Sequence, residues 1–223
     1  MINSVLNADK TNNLVSKTYM LLALSLIPTI MGAIIGLKLN WSSEVMKGGA
    51  GLIVFIGLLA ITLGMIFAMK KAGDTPLGVG ILMLFTFIMG ITLSSAIERT
   101  LKIPNGSMII AVAASGTAFM LLAMGILNKF LNRDLGWMGK GLFIALIALL
   151  VAIILTMFFP SKLMIVVISA VTFILFSVYL LYDINQLGNG EEDSYVMATL
   201  SIYLDLLNIF TSLLQLLGII GDD

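Results

Sequence analysis

The stretch LYDINQLGNGEEDSYVMATLSIYLDLLN, residues 181–208, sets two aspartates, Asp183 and Asp205, inside apolar surroundings. A carboxylate in hydrocarbon costs several kcal/mol unless it is paired, protonated or wetted. The segment also holds the end of one apolar run, a short polar turn GNGEED, and the start of another. Its reading decides whether this chain carries a soluble core or a membrane bundle with a polar interior.

Outside this stretch the pattern repeats. Uncharged runs cover 18–37, 48–69, 75–97, 103–128, 141–161 and 163–182, and 194–221 is interrupted only by Asp205. About 20 residues at ~1.5 Å each cross a ~30 Å hydrocarbon layer. With 60% hydrophobic and 11% charged residues and a mean hydropathy of +1.11, the composition lies outside that of soluble domains. The expectation is an all-α polytopic membrane protein of seven transmembrane helices, a short polar tail over 1–16 and one bundle over 17–221. Barrel strands would alternate apolar and polar residues, and LFIALIALLVAIILTMFF does not.

The chain has neither cysteine nor histidine. Disulfides, thiol catalysis, thiolate metal sites and imidazole switches are excluded, so proton chemistry falls to carboxylates. The first 16 residues lack the basic start and short apolar core of a cleaved signal peptide, so helix one is expected to be retained and its tail mobile. Pro76 and Pro104 stand where helices begin and Pro160 where one ends. Lys10, Lys17, Lys70, Lys71, Lys129, Arg133 and Lys140 fall on the N-terminal side, against Lys38, Lys47, Arg99, Lys102 and Lys162 on the other. That balance favours a cytoplasmic N-terminus.

On a 3.6-residue wheel, Ser201, Asp205, Asn208, Ser212 and Gln215 share one face of the last helix. Ser169, Thr172, Phe176, Tyr179, Asp183 and Gln186 form a matching stripe on the sixth. Ser, Thr, Asn and Gln also serve as hydrogen-bonding glue between membrane helices; the aspartates point further, to an ion pathway or proton relay. Straight helices starting at one level leave the two acids ~9 Å apart in depth, so contact is left to the tertiary structure. Should they meet, two poorly hydrated carboxylates cannot both stay ionised and share a proton. Such a pair is a latch and pH sensor, joined when protonated and parted when charged. Parted, Asp183 and Asp205 offer oxygen ligands for transient Ca²⁺, with Asn208 and water completing the shell. Tyr179, Ser201, Asn208, Ser212 and Gln215 are the expected pore-lining or supporting residues. Glu191, Glu192 and Asp193 suit the start of helix seven, with Asp193 or Ser194 as cap. Lys70 and Lys71 read as topology anchors, and Glu98 and Arg99 as interfacial. Gly32 and Gly36 after Pro28 allow close helix approach.

The stretch YLLYDINQLGNGEEDSYVMATLSIYLDLLNIFTSLLQLLG closely resembles the C-terminal signature of the Bax inhibitor-1 family, and DTPLGVGILMLFTFIMGITLSS resembles its third-helix region. Size and loop pattern look most like the bacterial branch, a resemblance that implies a cell inner (plasma) membrane. The resemblance implies a central C-terminal helix ringed by six others and pH-dependent calcium leak in members that keep both acids, here Asp183 and Asp205. It also implies an alternative, regulation of a membrane-bound AAA protease of the FtsH type, and the member with that role is read as lacking the aspartate pair. Two departures stand out: no basic residue lies within helix two as a counter-charge, and TLSSAI in the third helix lacks the family's proline. No enzyme activity, cofactor or nucleic-acid partner is expected; the partners are the lipid bilayer, Ca²⁺ and protons. Tyr182–Asp183 matches half of the intramembrane aspartyl protease motif, but Asp205 follows IYL rather than Gly-x-Gly. A retinal receptor is set aside for want of a lysine in the last helix.

Overall fold

The computed structural model describes residues 2–40, 51–131, 133–159 and 161–221. Seven long α-helices occur among them: α1 (Ile2–Lys38), α2 (Gly51–Ala72), α3 (Pro76–Leu101), α4 (Gly106–Leu131), α5 (Gly139–Phe158), α6 (Lys162–Asn189) and α7 (Tyr195–Ile220). A 3₁₀ turn, Gly136–Met138, leads into α5. Within the described residues, six helices are long and apolar enough to cross a membrane. The chain is a polytopic membrane protein.

The helices outrun the uncharged segments. Residues 2–16, expected as a mobile tail, continue α1 without a break, because nothing in MINSVLNADKTNNLVS is glycine or proline. Lys70 and Lys71 form the last turn of α2, where cations complement the negative helix end. Glu98 and Arg99 lie inside α3. What stops a helix here is turn chemistry rather than charge: Gly73 and Gly190, just past α2 and α6, adopt φ of +61° and +72°, and the Gly190 N–H bonds back to Gln186 and Leu187. Pro76 opens α3 as expected, whereas Pro104 sits in the turn two residues ahead of α4. The expectations for Lys47 and Pro160 lie outside the described residues.

Exposure runs opposite to that of a soluble protein. Ile53, Phe67, Leu163 and Phe130 are 72–78% exposed, while Thr18, Ser25, Thr86 and Thr199 are wholly buried. Lipid accepts the first group and offers nothing to the second. The buried hydroxyls therefore donate one turn back along their own helices, Ser25 to the Leu22 carbonyl at 2.7 Å and Thr172 to that of Ile168 at 2.7 Å.

The helices form two compact units, one of Met1–Glu98 with Glu192–Leu200 and one of Arg99–Glu191 with Ser201–Asp223. In the first, α1 and α3 touch backbone to backbone. A methyl group on Gly32 would collide with the Phe87 carbonyl, one on Gly36 with the Ser94 hydroxyl, and one on Gly90 with the Thr29 carbonyl. The start of α7 belongs to this unit. Asp74, in the α2–α3 turn, accepts hydrogen bonds from the Ser194 hydroxyl (2.6 Å) and the backbone N–H groups of Tyr195 (3.2 Å) and Val196 (3.1 Å). The Thr199 hydroxyl donates to the Thr18 carbonyl of α1 at 3.2 Å, and the Lys17 ammonium lies 5.6 Å from the Tyr195 ring centre. In the second unit α6 packs against both α4 and α5.

Candidate functional site

Asp183 and Asp205 lie in the second unit, on α6 and on the part of α7 after Leu200. By helix count Asp183 stands six residues before the end of α6 and Asp205 ten residues after the start of α7. Because α6 runs one residue further and α7 starts one residue later than the apolar runs suggest, the depth mismatch falls to about 6 Å. The structure brings the two side chains together: the Asp205 carboxyl is hydrogen-bonded to that of Asp183. Asp205 is only 3% exposed, and its Oδ2 atom is buried with no partner. Asp183 is half-buried.

Carboxylates are acceptors only, so a hydrogen bond between two of them needs a proton on one. One proton shared between the buried Asp205 and the half-buried Asp183 meets that need.

Tyr179, one turn before Asp183, is close enough to feel the charge of both acids; its ring stacks on Phe176 with centroids 5.7 Å apart. On the next face, the Tyr182 hydroxyl accepts from Gln186 Nε2 at 3.3 Å and presses on Gly139, where a methyl would meet it at 2.7 Å. Gln186 Oε1 is buried and unpartnered, a second free acceptor one turn beyond Asp183.

The remaining stripe residues are placed differently. Asn208 Nδ2 donates to the Leu204 carbonyl at 2.7 Å and the Ser212 hydroxyl to that of Ile209 at 2.9 Å, so both bond to their own helix. Gln215 is exposed, yet its Oε1 accepts from the Ser169 hydroxyl at 2.7 Å and joins the two stripes. It stands about 15 Å along α7 from Asp205. Ser201 is half-buried. Among the described residues no three acidic side chains gather to hold a metal ion. A Ca²⁺ ion at this pair would take its remaining ligands from water, amides or carbonyls.

Ser194 caps α7, accepting from the Met197 N–H at 3.2 Å, and is itself held by Asp74. Two residues emerge that the sequence did not single out. One is Asp74. The other is Asn185, 3% exposed, on the side of α6 opposite Asp183. Its Nδ2 donates to Asn128 Oδ1 (2.7 Å) and the Arg133 carbonyl (2.9 Å), while its Oδ1 accepts from the Leu135 N–H (2.9 Å) and Asn189 Nδ2 (3.2 Å). All four of its hydrogen-bonding positions are filled. A cluster of amides, Asn185, Gln186 and Asn189, at the end of an apolar helix was the available signal, but three of the four bonds of Asn185 reach partners 50 or more residues away and the fourth stays in its own helix.

Comparison with known proteins agrees with this architecture. Residues 11–222 match the family model described as "Inhibitor of apoptosis-promoting Bax1". An uncharacterized protein of Campylobacter jejuni is 34% identical over 204 residues, 91% of this chain and 87% of that protein. One from Helicobacter pylori is 34% identical over 228 residues, 99% and 92% of the two chains. The "Modulator of FtsH protease YccA" of Escherichia coli is 28% identical over 214 residues, 96% and 93% of the two. With nearly its whole length aligned to such relatives and to the family model, this chain belongs to the Bax inhibitor-1 family.

Proposed function

We propose that this protein is a pH-sensitive cation leak, with Ca²⁺ the favoured ion, gated by Asp183 and Asp205. The observation that carries the reading is the hydrogen bond between a carboxyl 3% exposed and its neighbour on the adjacent helix. One proton holds α6 and α7 together at this level. When it leaves, two like charges face each other at a separation where the repulsion is about 4 kcal/mol in a partly wetted site, and the helices part. The freed oxygens then give a divalent cation its first ligands, with Tyr179 beside them and Ser201, Asn208, Ser212 and Gln215 as supporting polar groups along α7. Seven crossings, α2 included, a central α7, an inner-membrane location and a cytoplasmic N-terminus complete the reading.

The test is Ca²⁺ entry into proteoliposomes loaded with a fluorescent indicator. Flux is expected to rise with pH, and Asp183→Asn or Asp205→Asn, which cannot develop the second charge, to make it independent of pH. Mutants that keep the wild-type pH profile would reject the gate.

The named Escherichia coli relative supports a second reading, in which the chain modulates a membrane-bound AAA protease. Removal of residues 2–16 is then expected to abolish co-purification with the protease. Undiminished co-purification by the truncated chain would reject it.

A further inference from the structure

Where α4 and α6 end, a cleft of about 460 Å³ opens, lined only by polar and charged side chains. Two candidate membrane spans, Gly106–Leu131 and Lys162–Asn189, finish at its edges, which puts it at the level of lipid headgroups. Phe130, next to Lys129 in the chain, and Trp137, three residues after Asp134, are 78% and 79% exposed, the character of aromatic residues that settle at that level. The cleft is also of the size that holds small ligands.

Its wall carries two cations, Lys129 and Arg133, and two acids, Asp134 and Glu191. None of the four forms a salt bridge within the described residues; Asp134 accepts one hydrogen bond, from the Gly136 N–H at 2.7 Å. Opposite charges that line one cleft without pairing leave both signs available to a ligand. The floor is rigid, because Asn185 has no hydrogen-bonding capacity left to rearrange.

We propose that this cleft seats the headgroup of a zwitterionic phospholipid bearing a primary ammonium, its phosphate on Lys129 and Arg133 and its ammonium on Asp134 and Glu191. The equal number of cations and acids argues against an anionic headgroup, which would leave the two carboxylates facing like charge. A trimethylammonium group has no N–H to give a carboxylate, and no aromatic side chain lines the cleft to cage it. A membrane lipid, rather than its soluble headgroup, is the occupant because the site opens at the ends of two spans, with exposed aromatic anchors close by in the chain.

The experiment uses the full chain in nanodiscs of equal phosphatidylethanolamine, phosphatidylcholine and phosphatidylglycerol, followed by mild detergent extraction and quantification of the lipid retained. Phosphatidylethanolamine is expected to be enriched. The Lys129→Gln/Arg133→Gln pair should cut its retention about fivefold, the effect of losing about 1 kcal/mol of charge-assisted contact. Glu191→Gln should remove the preference over phosphatidylcholine. Lys140→Gln, a charge change outside the cleft, should leave retention as it is. Unchanged thermal unfolding of these exposed-site variants shows that they are folded. Equal retention of the three lipids, a preference for phosphatidylglycerol, an equal loss in Lys140→Gln, or full displacement by soluble glycerophosphoethanolamine would each overturn the proposal.

Discussion

Replacing Asn185 with leucine removes four hydrogen bonds at one stroke while keeping the branched shape and heavy-atom count of the side chain. Two of its partners, the side chains of Asn128 and Asn189, stand at the edge of the polar cleft and recover water. The other two are backbone groups, the Leu135 N–H and the Arg133 carbonyl. The Leu135 bond is buried, and a buried group left unpaired costs about 1–3 kcal/mol. With a smaller loss at the more accessible carbonyl, the total is about 2–4 kcal/mol. For a chain of this length the usual per-residue unfolding entropy makes that roughly 4–9 °C in Tm. Asn185→Asp is the informative companion. It keeps both acceptor bonds and Asn128 can turn its amide to donate, while an ionised carboxylate would face the Arg133 carbonyl. The comparison is therefore made at a pH low enough to protonate the acid, whose O–H then donates to that carbonyl. The assay is thermal or denaturant unfolding of the purified chain in detergent, followed by helical circular dichroism. The expected order is wild type, then Asn185→Asp, then Asn185→Leu. A leucine variant within about 0.5 kcal/mol of wild type would refute the view that this amide clamps α6 to the α4–α5 connection.

Two further outcomes follow from the first unit. Asp74→Ala strips three hydrogen bonds from the start of α7 and is expected to cost about 1–2 kcal/mol, with Asp74→Asn clearly milder; hydrogen exchange at Tyr195 and Val196 should rise in the alanine variant, and protection equal to wild type would contradict the cap. Gly90→Ala drives a methyl into the Thr29 carbonyl, a backbone atom that cannot swing aside, and is expected to lower stability by about 1–3 kcal/mol; Gly57→Ala, where nothing lies within 4 Å, should not, and equal losses at the two sites would count against close α1–α3 contact.

Much of the architecture is legible without coordinates, because hydrocarbon allows so few solutions. Long uncharged runs without alternation become helices wherever water cannot satisfy the backbone, and α3 to α7 each coincide with an expected run. The extent of each helix is less legible. Lys70, Lys71, Glu98 and Arg99 mark where the apolar runs end, but charged residues are good helix formers, so α2 and α3 continue through them. The polar residues of 2–16 extend α1 because neither glycine nor proline interrupts them.

The candidate site divides along a similar line. That Asp183 and Asp205 each lie on a polar stripe follows from spacing alone, since the 3.6-residue period is a local property of the chain. Which stripe members face a partner does not: Asn208 and Ser212 bond to their own helix, and Gln215 meets Ser169 at an exposed position. The meeting of the two acids and the filled shell of Asn185 depend on the depth and rotation at which α4, α6 and α7 are seated. Asp74 reaches α7 across 120 residues of sequence. A helical wheel carries no record of either, because depth and rotation come from side-chain packing between helices. Composition and periodicity alone thus determined a helical membrane protein with two acids in its spans. Tertiary packing alone decided that those acids share a hydrogen bond, since that contact depends on atoms the chain brings together only after its helices have formed.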